Sequence, residues 1–126
     1  TVILFGYHGK LIKLAGGIFH THNHLADGRI EILVYLAVKE KIPHEIIVKF
    51  SHLNTLEDAL LILERFNKSK AEKLFQNLSH TIEKRSFAYV NRYVKTDMEI
   101  AAIVFDRKRE IRWSGTKGND YISYFQ

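Results

Sequence analysis

The 126-residue chain contains no cysteine. Disulfides and thiolate metal sites are therefore excluded, which suits a reducing compartment, and the cytoplasm is the expected one. It also lacks an apolar run approaching the ~20 residues of a membrane span, so no partnership with a membrane is expected. Nothing at its start resembles a signal peptide. Internal repeats and low-complexity tracts are absent too. With a single proline and seven glycines, breaks in the chain are few and informative.

The apolar share of 46% and charged share of 26% are ordinary for a globular domain, and the length allows one domain with a real core. A formal charge of +5 and a pI near 9.5 favour acidic partners. The basic residues are scattered rather than gathered into an arm, so nucleic acid is not the expected partner.

Element boundaries follow from the spacing of apolar residues. Val2 to Phe5 read as a short buried strand, broken at Gly6 and Gly9. From Gly9 or Lys10 to Phe19 the pattern suits a buried helix, which Gly16 and Gly17 weaken by about 1 kcal/mol each. A second helix is expected from about Leu25 to Lys41, burying Ile30, Leu33, Val34, Ala37 and Val38, with Pro43 ending it. Short helices over His44–Leu53 and Thr55–Phe66 follow, the second capped by Asn54 or Thr55. A long helix spans about Ser69 to Val94, its terminal Tyr89 and Tyr93 read as packing residues. Ile100–Phe105 is a central strand and Glu110–Ser114 a half-buried one; the two form a hairpin. The fold class is thus α/β: an N-terminal strand, a glycine turn, several helices and a C-terminal hairpin joining one sheet. The domain is expected over 1–115, and the tail over 116–126 either frays or docks through Tyr121, Tyr124 and Phe125.

The chemically capable groups crowd into TVILFGYHGKLIKLAGGIFHTHNHLADGRIE. A strand leading through a glycine turn into a helix aims backbone N–H groups at one spot, a geometry that attracts phosphate or carboxylate. Lys10 and Lys13 would reinforce it. GYHGK is neither a Walker loop nor a dinucleotide GxGxxG, and a tight turn with solvated lysines is the alternative. Alternate histidines in HTHNH place imidazoles on one side of an extended segment. The string HTHNHLADG is similar to the first motif of PHP-type metallophosphoesterases. The further ligands of that family lack matching motifs here, and a helical block separates the string from the opening strand.

A second resemblance covers almost the whole chain. LFGYHGKLIKLAGGIFHTHNHLADGRIEIL resembles the most recognisable block of the cobalt-precorrin-5B C(1)-methyltransferases of anaerobic cobalamin biosynthesis. The matching positions are Gly6, Gly9, Lys10, Lys13, Leu14, Ala15, Gly17, Ile18, Thr21, His22, Ala26, Asp27, Arg29, Glu31 and Leu33. A later strand ending FDRK, Phe105 to Lys108, agrees as well. The resemblance implies methylation of ring carbon 1 of cobalt-precorrin-5B by S-adenosylmethionine, giving cobalt-precorrin-6A. The cobalt would be carried by the substrate, with no protein-bound metal. It also implies roles: Gly6, His8, Gly9 and Lys10 for the methyl donor or another anion; Lys13, Thr21, Asp27 and Arg29 for the substrate; and His22 as a catalytic proton acceptor. Asp27 and Glu31 have structural alternatives, a cap and an ion pair. Members of the family are more than twice as long, and the resemblance covers their C-terminal part. A fragment, a split-gene product or a decayed copy is therefore expected, with a separate N-terminal polypeptide or a second copy of the chain as partner. A PHP-like phosphoesterase and a non-enzymatic anion-binding module are the alternative functions.

Overall fold

The computed structural model describes residues 1–17, 19, 28–93 and 98–125. In chain order these form β1 (Val2–Tyr7), α1 (His8–Ala15), α2 (Arg29–Lys39), α3 (His44–Phe50), α4 (Leu56–Phe66), α5 (Lys68–Tyr93), β2 (Ile100–Phe105), β3 (Ile111–Ser114), α6 (Thr116–Asn119) and a 3-10 turn (Ile122–Phe125). The sheet has the order β1-β2-β3. β1 runs parallel to β2, from Val2 opposite Ile100 to Tyr7 opposite Phe105. β3 returns antiparallel to β2, with an irregularity at Val104/Phe105. The α/β class and the closing hairpin match expectation.

Burial of one helical face holds the layers together. Leu56, Ala59, Leu60 and Leu63 of α4 and Ala71, Leu74, Phe75, Leu78 and Ile82 of α5 are fully or almost fully buried. They form one core with Ala102, Val104 and Trp113 of the sheet, and Leu4 packs against it. Thr55 caps α4, its hydroxyl accepting from Asp58 N–H at 3.2 Å.

Two helical expectations need correction. α1 stops at Ala15 rather than Phe19, because Gly17 adopts φ 77, a left-handed exit open to glycine. Gly16 serves close approach: a Cβ there would lie 2.5 Å from Ile32 Cδ1. α2 buries Ile32, Leu33, Leu36 and Ala37, while Val38 is exposed. The expected stripe holds at Leu33 and Ala37, and Ile30 and Val34 pack partly buried against the core; it fails at Val38, because the buried side of this largely apolar helix extends towards Ile32 and Leu36 instead. At the aromatic end of α5 the packing expectation holds for Tyr89 and less for Tyr93. Tyr93 is 69% exposed, and Tyr89 stacks on Phe19 with ring centroids 4.1 Å apart.

The stretch from Thr116 to Tyr121 is docked, while the Phe125 side chain lies outside what the structure describes. The Glu83 carboxylate, projecting from α5, accepts from Ala102 N–H at 2.8 Å, Lys117 N–H at 3.0 Å and Gly118 N–H at 2.7 Å. One side chain thus joins α5, β2 and the first turn of α6. The Tyr121 hydroxyl lies 3.2 Å from both Thr1 Oγ1 and Glu99 Oε1, whereas Tyr124 is 78% exposed.

Candidate functional site

Because β1 and β2 are parallel, their carboxyl ends share one edge of the sheet. In open α/β sheets that edge is the usual place for ligands. α1 begins there directly, at His8. Its first turn contains no acidic residue and no side-chain cap, so its leading N–H groups are not neutralised by a carboxylate of their own helix.

His8 is the best-defined group at this edge. It is fully buried and packed on Tyr7 (ring centroids 4.3 Å), Phe75 (5.5 Å) and Trp113 (6.0 Å). Nε2 lies 2.8 Å from Glu57 Oε2, in the first turn of α4. Nδ1 is buried without a partner among the described residues. Burial lowers the pKa of the ring, and the hydrogen bond and charge of Glu57 oppose this only in part. The imidazole is therefore neutral at physiological pH. Donation from Nε2–H to the carboxylate leaves Nδ1 as its one basic lone pair.

The Tyr7 hydroxyl lies within the same field. Burial raises its pKa, Glu57 adds to the rise, and Arg107 and Arg29 act against it. The substrate-binding candidate Arg29 is thereby brought within electrostatic range of the opening turn. Gly9 is buried beneath the Tyr7 ring, and a Cβ there would meet Tyr7 Cε1 at 2.7 Å. At Gly6 an added Cβ would lie 3.1 Å from Leu11 Cγ. Lys10 is exposed and Lys13 half-buried, one turn apart on α1. The remaining candidates, Thr21, His22 and Asp27, lie outside the described residues, as do His20 and His24 of the phosphoesterase-like string.

Beside this cluster an open hollow of about 690 Å³ is lined by Phe5, Tyr7, Phe105, Asp106, Arg107 and Arg109. Phe5 and Phe105 have ring centroids 5.4 Å apart, and Tyr7 lies 6.3 Å from Phe105. Asp106 is a buried turn-former: Oδ1 accepts from Lys108 N–H at 2.9 Å and Glu110 N–H at 3.1 Å, and Oδ2 lies 3.6 Å from Arg112. Apart from the FDRK agreement, sequence reasoning passed these residues over. The available signal was positional: they sit at the ends of two apolar strands, and strand ends are where such sheets place ligands.

Comparison with known proteins decides the family. The model of the family described as "CbiD, C-terminal domain" matches residues 20–116. The chain belongs to the CbiD C-terminal domain family. A cobalt-precorrin-5B C(1)-methyltransferase of Prochlorococcus marinus (strain MIT 9312) is 84% identical over 126 residues, covering 100% of this chain and 34% of the relative. The protein of the same name from strain CCMP1986 / NIES-2087 / MED4 is 72% identical over 126 residues, again 100% of this chain and 34% of the relative. That from strain MIT 9303 is 46% identical over 122 residues, 97% of this chain and 32% of the relative. This CbiD domain thus spans about a third of the length of the curated relatives it matches. No solved structure matches it. Neither the family match nor the relatives support the phosphoesterase or the non-enzymatic binding module. No helix among the described residues is long and apolar enough to cross a membrane.

Proposed function

We propose that this CbiD domain works in the S-adenosylmethionine-dependent methylation of ring carbon 1 of cobalt-precorrin-5B, giving cobalt-precorrin-6A in anaerobic cobalamin biosynthesis, in the cytoplasm. The observation that carries this reading is the 84% identity, across the whole chain, to a protein of that name. Because the chain accounts for 34% of that relative, the activity is assigned to the domain together with the polypeptide making up the remaining length, joined to it or supplied as a partner.

The residues at the opening turn fit an anionic donor. The uncapped first turn of α1 and the exposed Lys10 present N–H groups and a cation, with no carboxylate in that turn to compete. In this reading Gly6, Gly9 and Lys10 hold the carboxylate of S-adenosylmethionine, which supplies the methyl group when bound, while His8, buried with Nε2–H on Glu57 and only an acceptor at Nδ1, fixes the segment from beneath rather than touching the anion. Lys13, Thr21, Asp27 and Arg29 hold the corrinoid, and His22 accepts a proton. The cobalt travels with the substrate. Methyl transfer from a sulfonium depends on alignment of donor and acceptor carbons more than on acid–base groups. Such positioning lowers a barrier by up to ~7–11 kcal/mol, so rigid anchoring is the domain's main contribution.

Calorimetric titration with S-adenosylhomocysteine tests this. This chain, combined with the remaining portion of the strain MIT 9312 relative, is expected to bind it. A Lys10→Gln variant should bind up to several-fold more weakly, since an exposed ion pair contributes about 0.2–1 kcal/mol. A folded assembly that binds no S-adenosylhomocysteine contradicts the proposal.

A further inference from the structure

We propose that the hollow at the carboxyl ends of β1 and β2, walled by Phe5, Tyr7 and Phe105 and edged by Arg107 and Arg109, receives a flat, polycarboxylated ring. The methyltransferase reading supplies the ring's identity as a corrinoid, and the inference rests on that reading for this alone. Three observations carry the site itself.

The wall is aromatic and open. Along β1 the side chains alternate, so Leu4 packs on the helical core while Phe5 faces the other way and remains 46% exposed. With Phe105 and Tyr7 it forms a cluster of rings against which an extended π-system can lie.

The rim is cationic and uncommitted. Arg107 and Arg109 are exposed, and among the described residues neither guanidinium has a hydrogen bond or ion pair. Of the two carboxylates in the turn, Asp106 is already held by the Lys108 and Glu110 amides and by Arg112, and the exposed Glu110 makes no ion pair with either arginine among the described residues. Two planar donors at the edge of an aromatic wall match a ring whose acidic side chains project from its periphery.

The third observation concerns the backbone. Arg109 adopts φ 64 in the β2–β3 turn, where its N–H donates to Asp106 O at 2.9 Å and Asp106 N–H donates to Glu110 O at 3.0 Å. Glycine or asparagine takes that conformation more easily than arginine, which is disfavoured there by about 1 kcal/mol. The turn thus retains a residue unfavourable for the backbone while placing a guanidinium at the mouth of the hollow.

This gives an experiment in which folding and binding move in opposite directions. The probe is uroporphyrin, a flat tetrapyrrole carrying only acetate and propionate side chains, titrated by fluorescence into the full chain. Arg109→Gly is expected to unfold at an equal or higher urea concentration than the native protein, yet to bind the porphyrin more weakly. The double variant Arg107→Gln/Arg109→Gly should lose roughly 10–100-fold in affinity, as expected when two charge-assisted contacts go. A Lys84→Gln/Lys117→Gln variant, altered beside the opposite end of the strands, should bind as the native protein does. Undiminished binding by the arginine variants, or no binding by the native protein, overturns the site. So does a clear loss of stability in Arg109→Gly, which would show the arginine to be a fold requirement. If the porphyrin result fails while the assembled protein still binds S-adenosylhomocysteine, the site is wrong and the methyltransferase reading stands. If both fail, that reading falls as well.

Discussion

Glu83→Ala is expected to remove about 4 kcal/mol of stability, the larger of the two strongest effects anticipated here. In the native protein the carboxylate accepts three backbone N–H groups, those of Ala102, Lys117 and Gly118, and the residue is 7% exposed. Removing it strands buried donors, each costing about 1–3 kcal/mol when left without a partner. Water can reach Lys117 but has less access to Ala102 and Gly118, whose bonds to Glu83 are buried. Against a total stability of about 5–15 kcal/mol, such a loss leaves a protein with a visible unfolded fraction. Glu83→Gln should lose about half as much, because one amide oxygen still accepts while the amide nitrogen faces another donor. Gly118→Ala should damage the same joint from the other side, since a Cβ there would lie 2.1 Å from Ala102 O. Urea denaturation followed through Trp113, the single tryptophan, measures all three. A Glu83→Ala protein as stable as the native one would show that the three amides find other partners.

His8→Ala should cost about 3 kcal/mol, a typical penalty for truncating a large buried side chain. The ring fills space between Tyr7, Phe75 and Trp113, and its loss also leaves Glu57 without its buried partner. pH separates this packing role from the ionic one. The pKa of His8 lies below its ordinary value of 6.5 through burial. Below pH 6.5 the unfolded chain therefore binds a proton that the folded chain resists, and stability falls as pH drops from there towards the folded value. The groups facing the ring are Glu57, Asp106 and Arg112, so the loss is moderated by two carboxylates and sharpened by one guanidinium. His8→Gln should flatten this part of the pH profile. Urea midpoints measured across neutral to mildly acidic pH would reveal it, and an unchanged slope in His8→Gln would remove His8 as the source.

These two residues also show where sequence reasoning reaches its limit. Apolar spacing was enough for α4 and α5, because Leu56, Leu60, Leu63, Leu74, Leu78 and Ile82 follow one helical face. The hairpin was equally legible, since branched residues in β2 and alternation in β3 are local signals. Glu83 was invisible: a carboxylate in the middle of a long charged helix reads as a solvated face, and its amide partners lie 19 to 35 residues away. The Glu57 bond to His8 spans 49 positions and leaves no periodic trace. At the candidate site, glycine, histidine and lysine drew attention to the β1–α1 junction because they are chemically conspicuous there, but no glycine turn forms: Gly6 stays in the strand and Gly9 lies within α1. The wall formed by Phe5, Tyr7 and Phe105 was not legible, because it exists only once β1 lies parallel to a strand nearly the whole chain away. α2 misled only at its edge, giving Val38 in place of Ile32 and Leu36, because an apolar surface on several sides does not say how far round the covered side extends.

Methyl transfer itself is the most direct measurement. If the matching third of the strain MIT 9312 relative is replaced by this chain, the hybrid incubated with cobalt-precorrin-5B and S-adenosylmethionine is expected to yield a corrinoid heavier by one methyl group, with S-adenosylhomocysteine formed in equal amount. A hybrid that folds and leaves cobalt-precorrin-5B unchanged, where the unaltered relative methylates it, would contradict the account.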